Sequence, residues 1–245
     1  MRNLLIFLVM SGWLFASTIR VAVAANVSYA MPELIKAFNQ TNPDIKVQVL
    51  LGSSGKLTAQ IREGAPFELF MSANMKYPNA LYKEGFAVNK PVVYAKGALA
   101  LLSSKKRDFS KGVMLLKDSH IKKIAIANPK TAPYGKAAVD AMKKVGIYKD
   151  LKDKFVYAQS VSQAVVYSII AADIGFVAKS SLYSKKMRKY KEGVNWAEVD
   201  PSLYSPIKQG VVLLKNYNKD TKKFYDFILG KKAKGIFKEF GYSVQ

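Results

Sequence analysis

A short glycine-bracketed loop is the first stretch of this sequence whose residues could do chemistry. Residues 52–56 read Gly-Ser-Ser-Gly-Lys and separate an apolar run from an amphipathic segment. A loop that opens a helix can bind an anion, because the N–H groups of the first helical turn have no intrahelical acceptor and carry partial positive charge. The loop therefore predicts an anion site, at which the protein either only binds the anion or catalyses its reaction.

The reactive alternatives match known motifs poorly. A nucleotide-binding P-loop has glycine five residues before its Gly-Lys pair and Ser or Thr after it, but Leu50 and Leu57 occupy those positions. Ser53 and Lys56 have the Ser-x-x-Lys spacing of penicillin-recognising enzymes, yet the partner motifs Ser-Asp-Asn and Lys-Thr-Gly are absent. An enzyme with Ser53 or Ser54 as nucleophile remains an alternative, but it lacks an evident general base.

Histidine and cysteine are almost missing from the chain, which has one histidine, His120, and no cysteine. A transition-metal cation needs several imidazole or thiolate ligands, so we predict no cation site and no cofactor. His120 lies in a polar segment and no Gly-x-Ser-x-Gly elbow exists, so we predict an exposed loop histidine. The lack of cysteine excludes thiol catalysis, a disulfide framework and a lipid anchor through cysteine.

Hydrophobic patterning predicts strands and helices in alternation. The predicted strands cover residues 19–25, 45–51, 67–72, 98–103, 124–127, 155–158, 174–177 and 211–214. The predicted helices cover residues 31–38, 56–63, 78–84, 135–145, 162–171, 221–229 and 233–239, with Ser28 as a possible cap of the first. This alternation favours an α/β fold built on parallel sheets.

Four loops of this pattern follow a strand and open a helix. In α/β sheets such loops meet in the ligand crevice at the carboxyl ends of the strands. Their side chains are mostly neutral hydrogen-bonding groups, namely those of Asn26, Ser28, Ser53, Ser54, Tyr134, Ser160 and Ser162. Neutral donors and helix dipoles can hold an oxyanion without a nearby countercharge, so we predict a reversible anion-binding site.

The charge and the N-terminus point to an exported protein with a basic surface. The formal charge is +22, but the lysines are spread along the chain, which favours a solvated basic surface over a nucleic-acid site. Such a surface would still steer small anions. Arg2, the apolar residues 4–15 and the small residues 16–18 predict a signal peptide over residues 1–17 and a periplasmic, soluble mature chain.

Four stretches together resemble the periplasmic molybdate-binding proteins of bacterial ABC importers. The resemblance covers essentially the whole mature chain, and Glu68 stands where the family usually has aspartate. The stretches are VAVAANVSYAMPEL, GSSGKLTAQIREGAPFELFMSAN, IANPKTAPYGKAAVDAM and KKFYDFILGKKAKGIFKEFGYSV. The resemblance implies a binding protein, not an enzyme, that captures molybdate and passes it to a membrane permease.

The same resemblance implies a two-lobed periplasmic-binding-protein fold with the anion in the cleft between the lobes. Each lobe would hold a mostly parallel sheet flanked by helices. One lobe would comprise residues 18–96 plus 209–245 and the other residues 97–208, with hinge crossings near 94–97 and 207–210. The protein would act as a monomer.

Residue by residue, the family's ligand positions fall on Asn26, Ser54, Tyr134 and Val161, with Ser28 and Ser53 as possible additions. Asn26 stands where many members have serine, and its amide could donate to the anion. A tyrosine that some members use is replaced by Ala178, and the Tyr134 hydroxyl could take its place. Tungstate is expected to bind in addition to molybdate. The alternative is a receptor for sulfate or another tetrahedral oxyanion.

Overall fold

The chain folds around two five-stranded sheets in the computed structural model, which describes residues 17–244. Most of the predicted signal peptide, residues 1–16, lies outside this range. No helix within the described range is long and apolar enough to cross a membrane. The two sheets agree with the expected α/β class.

The strands follow the predicted alternation closely. They are β1 (Ser17–Ala24), β2 (Ile45–Gly52), β3 (Leu69–Ser72), β4 (Val92–Gly97), β5 (Leu99–Leu102), β6 (Ile124–Ala127), β7 (Phe155–Ala158), β8 (Ile174–Ala178), β9 (Trp196–Glu198) and β10 (Ile207–Leu213). Every predicted strand is present, and β4 and β9 are additional.

The seven predicted helices are also present. They are α1 (Met31–Asn39), α2 (Ser54–Arg62), α3 (Lys76–Lys83), α4 (Pro133–Lys144), α5 (Val161–Ile170), α6 (Lys219–Leu229) and α7 (Lys231–Glu239). Gly64, Gly85 and Gly146 follow α2, α3 and α4 with φ angles of 85°, 77° and 79°. Glycine adopts this left-handed conformation at little cost, which explains where these helices stop.

Both sheets are mixed, whereas the sequence predicts mostly parallel ones. The first sheet has the order β2-β1-β3-β10-β4 and the second has the order β7-β6-β8-β5-β9. β1 runs parallel to β2 and β3, and β6 runs parallel to β7 and β8. β10 and β5 pair antiparallel with both of their neighbours. The mixture arises because these two strands belong to the segments in which the chain passes between the sheets.

The chain passes between the sheets at two adjacent points, which we call the strand crossing. β4 ends at Gly97 just before β5 of the second sheet, and β10 starts at Ile207 after the chain returns. Gly97 and Ile207 are paired residues in the ladder of β4 and β10. Two paired strands at one crossing suit a hinge, because they allow rotation while preventing separation.

Apolar side chains cover both faces of each sheet, so both sheets are internal layers. Helices α1, α6 and α7 pack on one face of the first sheet with Phe38, Phe224 and Phe237 fully buried. α2 and α3 cover the other face. α4 buries its apolar side against one face of the second sheet. These layers place the carboxyl ends of the parallel strands of both sheets at the boundary between them.

Ser28 does not cap α1, contrary to the expectation. Residues Ala25–Tyr29 form a 3-10 helix, so α1 begins after Ala30, which has no side-chain cap. The Ser28 hydroxyl lies 3.3 Å from the Ser162 hydroxyl of the other sheet's layer. Ser28 therefore belongs to a contact between the two sheets.

Candidate functional site

A small cavity lies between the two sheets where their parallel strands end. It is lined by Ala24, Ala25, Asn26, Gly52, Ser53, Ser54, Ala73, Ala132, Pro133, Tyr134 and Val161. These residues follow β1, β2, β3, β6 and β7. The four predicted ligand positions, Asn26, Ser54, Tyr134 and Val161, thus line one cavity together with Ser53. Ser28 is not among the lining residues.

Hydrogen bonds to two other residues fix the side-chain amide of Asn26. Its amide nitrogen donates to Gln209 Oε1 and to the Tyr242 hydroxyl, both at 2.9 Å. The Gln209 amide nitrogen donates to the Ile207 carbonyl, so the Gln209 oxygen must face Asn26. Both amide hydrogens of Asn26 are therefore committed, and the side-chain donation expected from the sequence is not available. The backbone N–H is the donor that Asn26 can offer to the cavity.

Ser53 and Ser54 bring hydroxyl groups from the start of α2. The Ser54 hydroxyl accepts the backbone N–H of Ala73 at 2.9 Å, which leaves its own hydrogen free to donate. Ser53 Oγ is buried and has no hydrogen-bond partner among residues 17–244. Because a buried polar group without a partner is costly, an acceptor in the cavity would satisfy Ser53.

Tyr134 presents its backbone N–H from the first turn of α4. The helix begins at Pro133, so the N–H of Tyr134 has no acceptor within the helix. Gly135 allows α4 to start this close to β6, since a Cβ there would lie 1.9 Å from the Ala127 carbonyl oxygen. This close approach brings the first turn of α4 to the cavity.

The Tyr134 hydroxyl lies at the strand crossing. Its Oη would be 2.1 Å from a Cβ placed on Gly97, and the Gln209 side chain is adjacent. Burial raises the pKa of Tyr134 well above its usual value, with the nearby Gln209 amide opposing the shift, so the phenol is neutral at physiological pH.

Val161 is the first residue of α5 and offers another backbone N–H. Ser160 precedes the helix as its cap, with its hydroxyl accepting the N–H of Gln163. Val161 itself is buried. The apolar side chain cannot bind an anion, so the backbone N–H is the group that could contribute.

The cavity carries no charged side chain, and Tyr134 is its only titratable group. The first turns of α2, α4 and α5 point at the same small volume, so their partial positive charges add. Such an arrangement can bind an oxyanion through donors alone, without a carboxylate that would repel it.

Comparison with known proteins agrees with this geometry. Residues 19–243 match the family model described as bacterial extracellular solute-binding protein. The chain belongs to this family of solute-binding proteins. Membership places the protein among binding proteins of transport systems and not among enzymes.

Individual solute-binding proteins show how close the similarity is. The molybdate-binding protein ModA of Rhodobacter capsulatus is 38% identical over 232 residues, covering 93% of this chain and 88% of that protein. The structure of the periplasmic molybdate-binding protein of Azotobacter vinelandii superposes with a TM-score of 0.84 at 32% identity, covering 93% of this chain and 99% of that one. The substrate-binding domain of a putative molybdenum ABC transporter from Clostridium difficile gives a TM-score of 0.66 at 29% identity, covering 94% and 99%.

The solute-binding site is closed by hydrogen bonds between the two sheets' loops. On one side, the N–H of Gly55 donates to the Thr131 carbonyl at 2.9 Å. On the other side, the Ser162 hydroxyl donates to the Ala25 carbonyl at 2.7 Å. The Ser180 hydroxyl also donates to the Asn26 carbonyl at 2.9 Å. These contacts join the loops of the two sheets around the cavity.

Two residues of the rejected catalytic motifs, Lys56 and His120, lie away from the cavity. Lys56 is exposed and does not line the cavity, so it cannot activate Ser53. His120 is exposed and pairs with Asp118 at 2.9 Å, as predicted for a loop histidine. It precedes β6, whereas the cavity lies beyond the opposite end of that strand.

Three polar residues that support this solute-binding site were missed by sequence reasoning. They are Ser180, Gln209 and Tyr242, each of which bonds to Asn26. Gln209 could have been noticed, because it is a fully buried glutamine in the otherwise largely apolar β10. Ser180 and Tyr242 carry no local signal, since their partner is distant in the sequence.

Proposed function

We propose that this protein captures molybdate in the closed cavity and delivers it to the membrane permease of an ABC importer. The observation that carries the proposal is the cavity lined by neutral donors from both sheets, with no carboxylate. Molybdate is a dianion with four acceptor oxygens and no proton at neutral pH, so it can use every donor. The names of the similar proteins support molybdate as the ligand.

The proposed ligand groups are the backbone N–H groups of Asn26, Tyr134 and Val161 and the hydroxyl and N–H of Ser54. The unpartnered Ser53 hydroxyl is a sixth contact. Tungstate has nearly the same size and charge as molybdate, so we propose that it binds as well. Sulfate is smaller and should fit the same donors less well.

The proposed lobes are residues 18–96 plus 209–245 and residues 97–208, with the hinge at the strand crossing. The first sheet extends slightly past these boundaries, because Gly97 and Ile207 pair in its ladder, and this pairing supports a hinge within two residues of them. Anion binding would draw the lobes together by rotation at this hinge. The permease would then recognise the closed form, with the protein acting as a monomer.

The proposed location is the periplasm, after cleavage of a signal peptide between residues 16 and 18. Ser17 already pairs with Ile45 as the first residue of β1. This pairing favours cleavage at the N-terminal side of that interval, because cleavage after Ser17 would shorten the strand.

Calorimetric titration of the mature, ligand-free protein tests the ligand. We expect one-to-one binding of molybdate and tungstate and little heat with sulfate or phosphate. Phosphate is protonated near neutral pH, and a site made of donors leaves its O–H group without an acceptor. A preference for sulfate or phosphate, or no response to molybdate, would contradict the proposal.

Molybdate affinity should stay constant between about pH 6 and pH 9, because the cavity lining contains no group that titrates there. The raised pKa of Tyr134 keeps its phenol neutral across this range. Titrations at fixed ionic strength measure this, and a tenfold change per pH unit within the range would show that a titrating group contacts the ligand.

A further inference from the structure

Gly97 and Tyr134 touch at the strand crossing, where the layers of the two sheets meet. Tyr134 belongs to α4 of the second sheet's layer, whereas Gly97 ends β4 of the first sheet. A Cβ on Gly97 would lie 2.1 Å from Tyr134 Oη, 3.2 Å from Cζ and 3.0 Å from Gln209 Nε2. No side chain larger than hydrogen fits at residue 97 while Tyr134 keeps this position.

The Tyr134 ring has little freedom to move away. Only 2% of the residue is exposed, and an aromatic ring cannot shorten or bend its reach. No well-formed hydrogen bond to residues 17–244 holds its hydroxyl, although the Gln209 amide lies close enough to oppose the rise in its pKa. The position of the hydroxyl therefore follows mainly from how closely α4 packs on the strand crossing.

We propose that Gly97 and Tyr134 form a spacer that sets how far the cleft closes. The missing side chain at Gly97 lets the Tyr134 ring reach the strand crossing, which carries the N–H of Tyr134 to the anion. Tyr134 is thus a positioning residue through its side chain and a ligand through its backbone. This inference rests on the proposed function, because it assigns the spacer to closure around the anion.

Gln209 completes the same arrangement from the first sheet. Its side chain lies beside the Gly97 position and accepts a hydrogen bond from Asn26 at 2.9 Å. The donor loops of Asn26 and Tyr134, which come from different sheets, therefore both rest on the strand crossing. Their separation across the cavity is set by the packing at residues 97 and 209.

Three variants test the spacer: Gly97→Ala, Tyr134→Phe and the double variant. Gly97→Ala should weaken molybdate binding by about tenfold to a hundredfold, because the added methyl holds α4 away from the crossing. Tyr134→Phe is the reference for the double variant, because it removes the Oη that the methyl would meet and keeps the backbone N–H. The double variant should bind more tightly than Gly97→Ala, because the methyl then meets Cζ at 3.2 Å instead of Oη at 2.1 Å.

Gly235→Ala is the matched control, because a Cβ there meets nothing within 4 Å. Each protein is titrated with molybdate by calorimetry, and its melting temperature is measured with and without molybdate. For Gly97→Ala we expect a melting temperature near that of wild type without ligand and a reduced rise with ligand. That result separates a closure defect from a folding defect.

The spacer proposal would be overturned if Gly97→Ala bound molybdate as tightly as wild type. It would also be overturned if the double variant bound molybdate as weakly as Gly97→Ala. A large loss of ligand-free stability in Gly97→Ala would also overturn it, because the contact would then serve folding and not closure. Failure of wild type itself to bind molybdate would instead contradict the proposed function. The two failures are therefore distinguishable in the same set of titrations.

Discussion

Replacing Ser54 with alanine is expected to weaken molybdate binding by roughly 100-fold, which corresponds to about 3 kcal/mol. The hydroxyl would donate to a charged ligand inside a fully buried site, where such a bond is strong. The same oxygen accepts the backbone N–H of Ala73, so the variant also leaves a buried donor unpaired. Calorimetric titration of purified Ser54→Ala measures the loss of affinity.

Ser53→Ala separates these two contributions. Ser53 Oγ has no protein partner in the described range, so its removal deletes only a contact to the ligand. We expect a loss of about tenfold in affinity with unchanged ligand-free stability, whereas Ser54→Ala should also lose about 1–3 kcal/mol of stability. Equal affinities of Ser54→Ala and wild type would remove Ser54 from the site and contradict the proposed geometry.

Replacing Val161 with proline is expected to weaken molybdate binding by about 10- to 100-fold while α5 stays folded. Proline lacks the N–H but is well tolerated at the first position of a helix, which Val161 occupies. The preceding Ser160 has φ −146° and ψ 164°, a conformation that a following proline favours. The substitution therefore deletes one backbone donor with little other change.

Val161→Ala is the control, because it shortens the buried side chain but keeps the N–H. It should lose stability by creating a small cavity and retain most of its affinity. Circular dichroism and thermal melting report whether both variants are folded. Full affinity in Val161→Pro would mean that this N–H does not contact the anion, and the proposed ligand set would have to exclude it.

The basic surface and the uncharged cavity serve different steps of capture. Lysines spread over the exterior can steer a dianion towards the protein over distances of about a Debye length. No lysine lines the cavity, so binding inside depends on oriented N–H and hydroxyl groups. Because these donors are fixed by helix starts, they need little reorganisation to receive the ligand.

The alternation of elements was predictable because local patterns govern it. Every predicted strand and helix is present, and the glycines after α2 and α4 stop those helices as expected. β4 and β9 were missed for identifiable reasons. β4 is an edge strand whose Val92 and Val93 are partly exposed, so it lacks a buried pattern. β9 has three residues, too few to show alternation.

The sequence by itself determined the four loops that carry the candidate ligands. A strand followed by a turn and a helix start is a local pattern, and its position at the carboxyl end of a parallel strand follows from the α/β architecture. Asn26, Ser54 and Tyr134 are among the loop residues that this pattern singled out, whereas Val161 came only from the family resemblance. All four line one cavity in the structure.

Only the tertiary structure decided which atoms of these residues are free to bind. The Asn26 amide is used by Gln209 and Tyr242, which are 183 and 216 residues away in the chain. The Tyr134 hydroxyl rests on Gly97, which lies 37 residues away in the chain. Hydrogen-bond commitment and close packing depend on atoms brought together from distant segments, so no local pattern could have shown them.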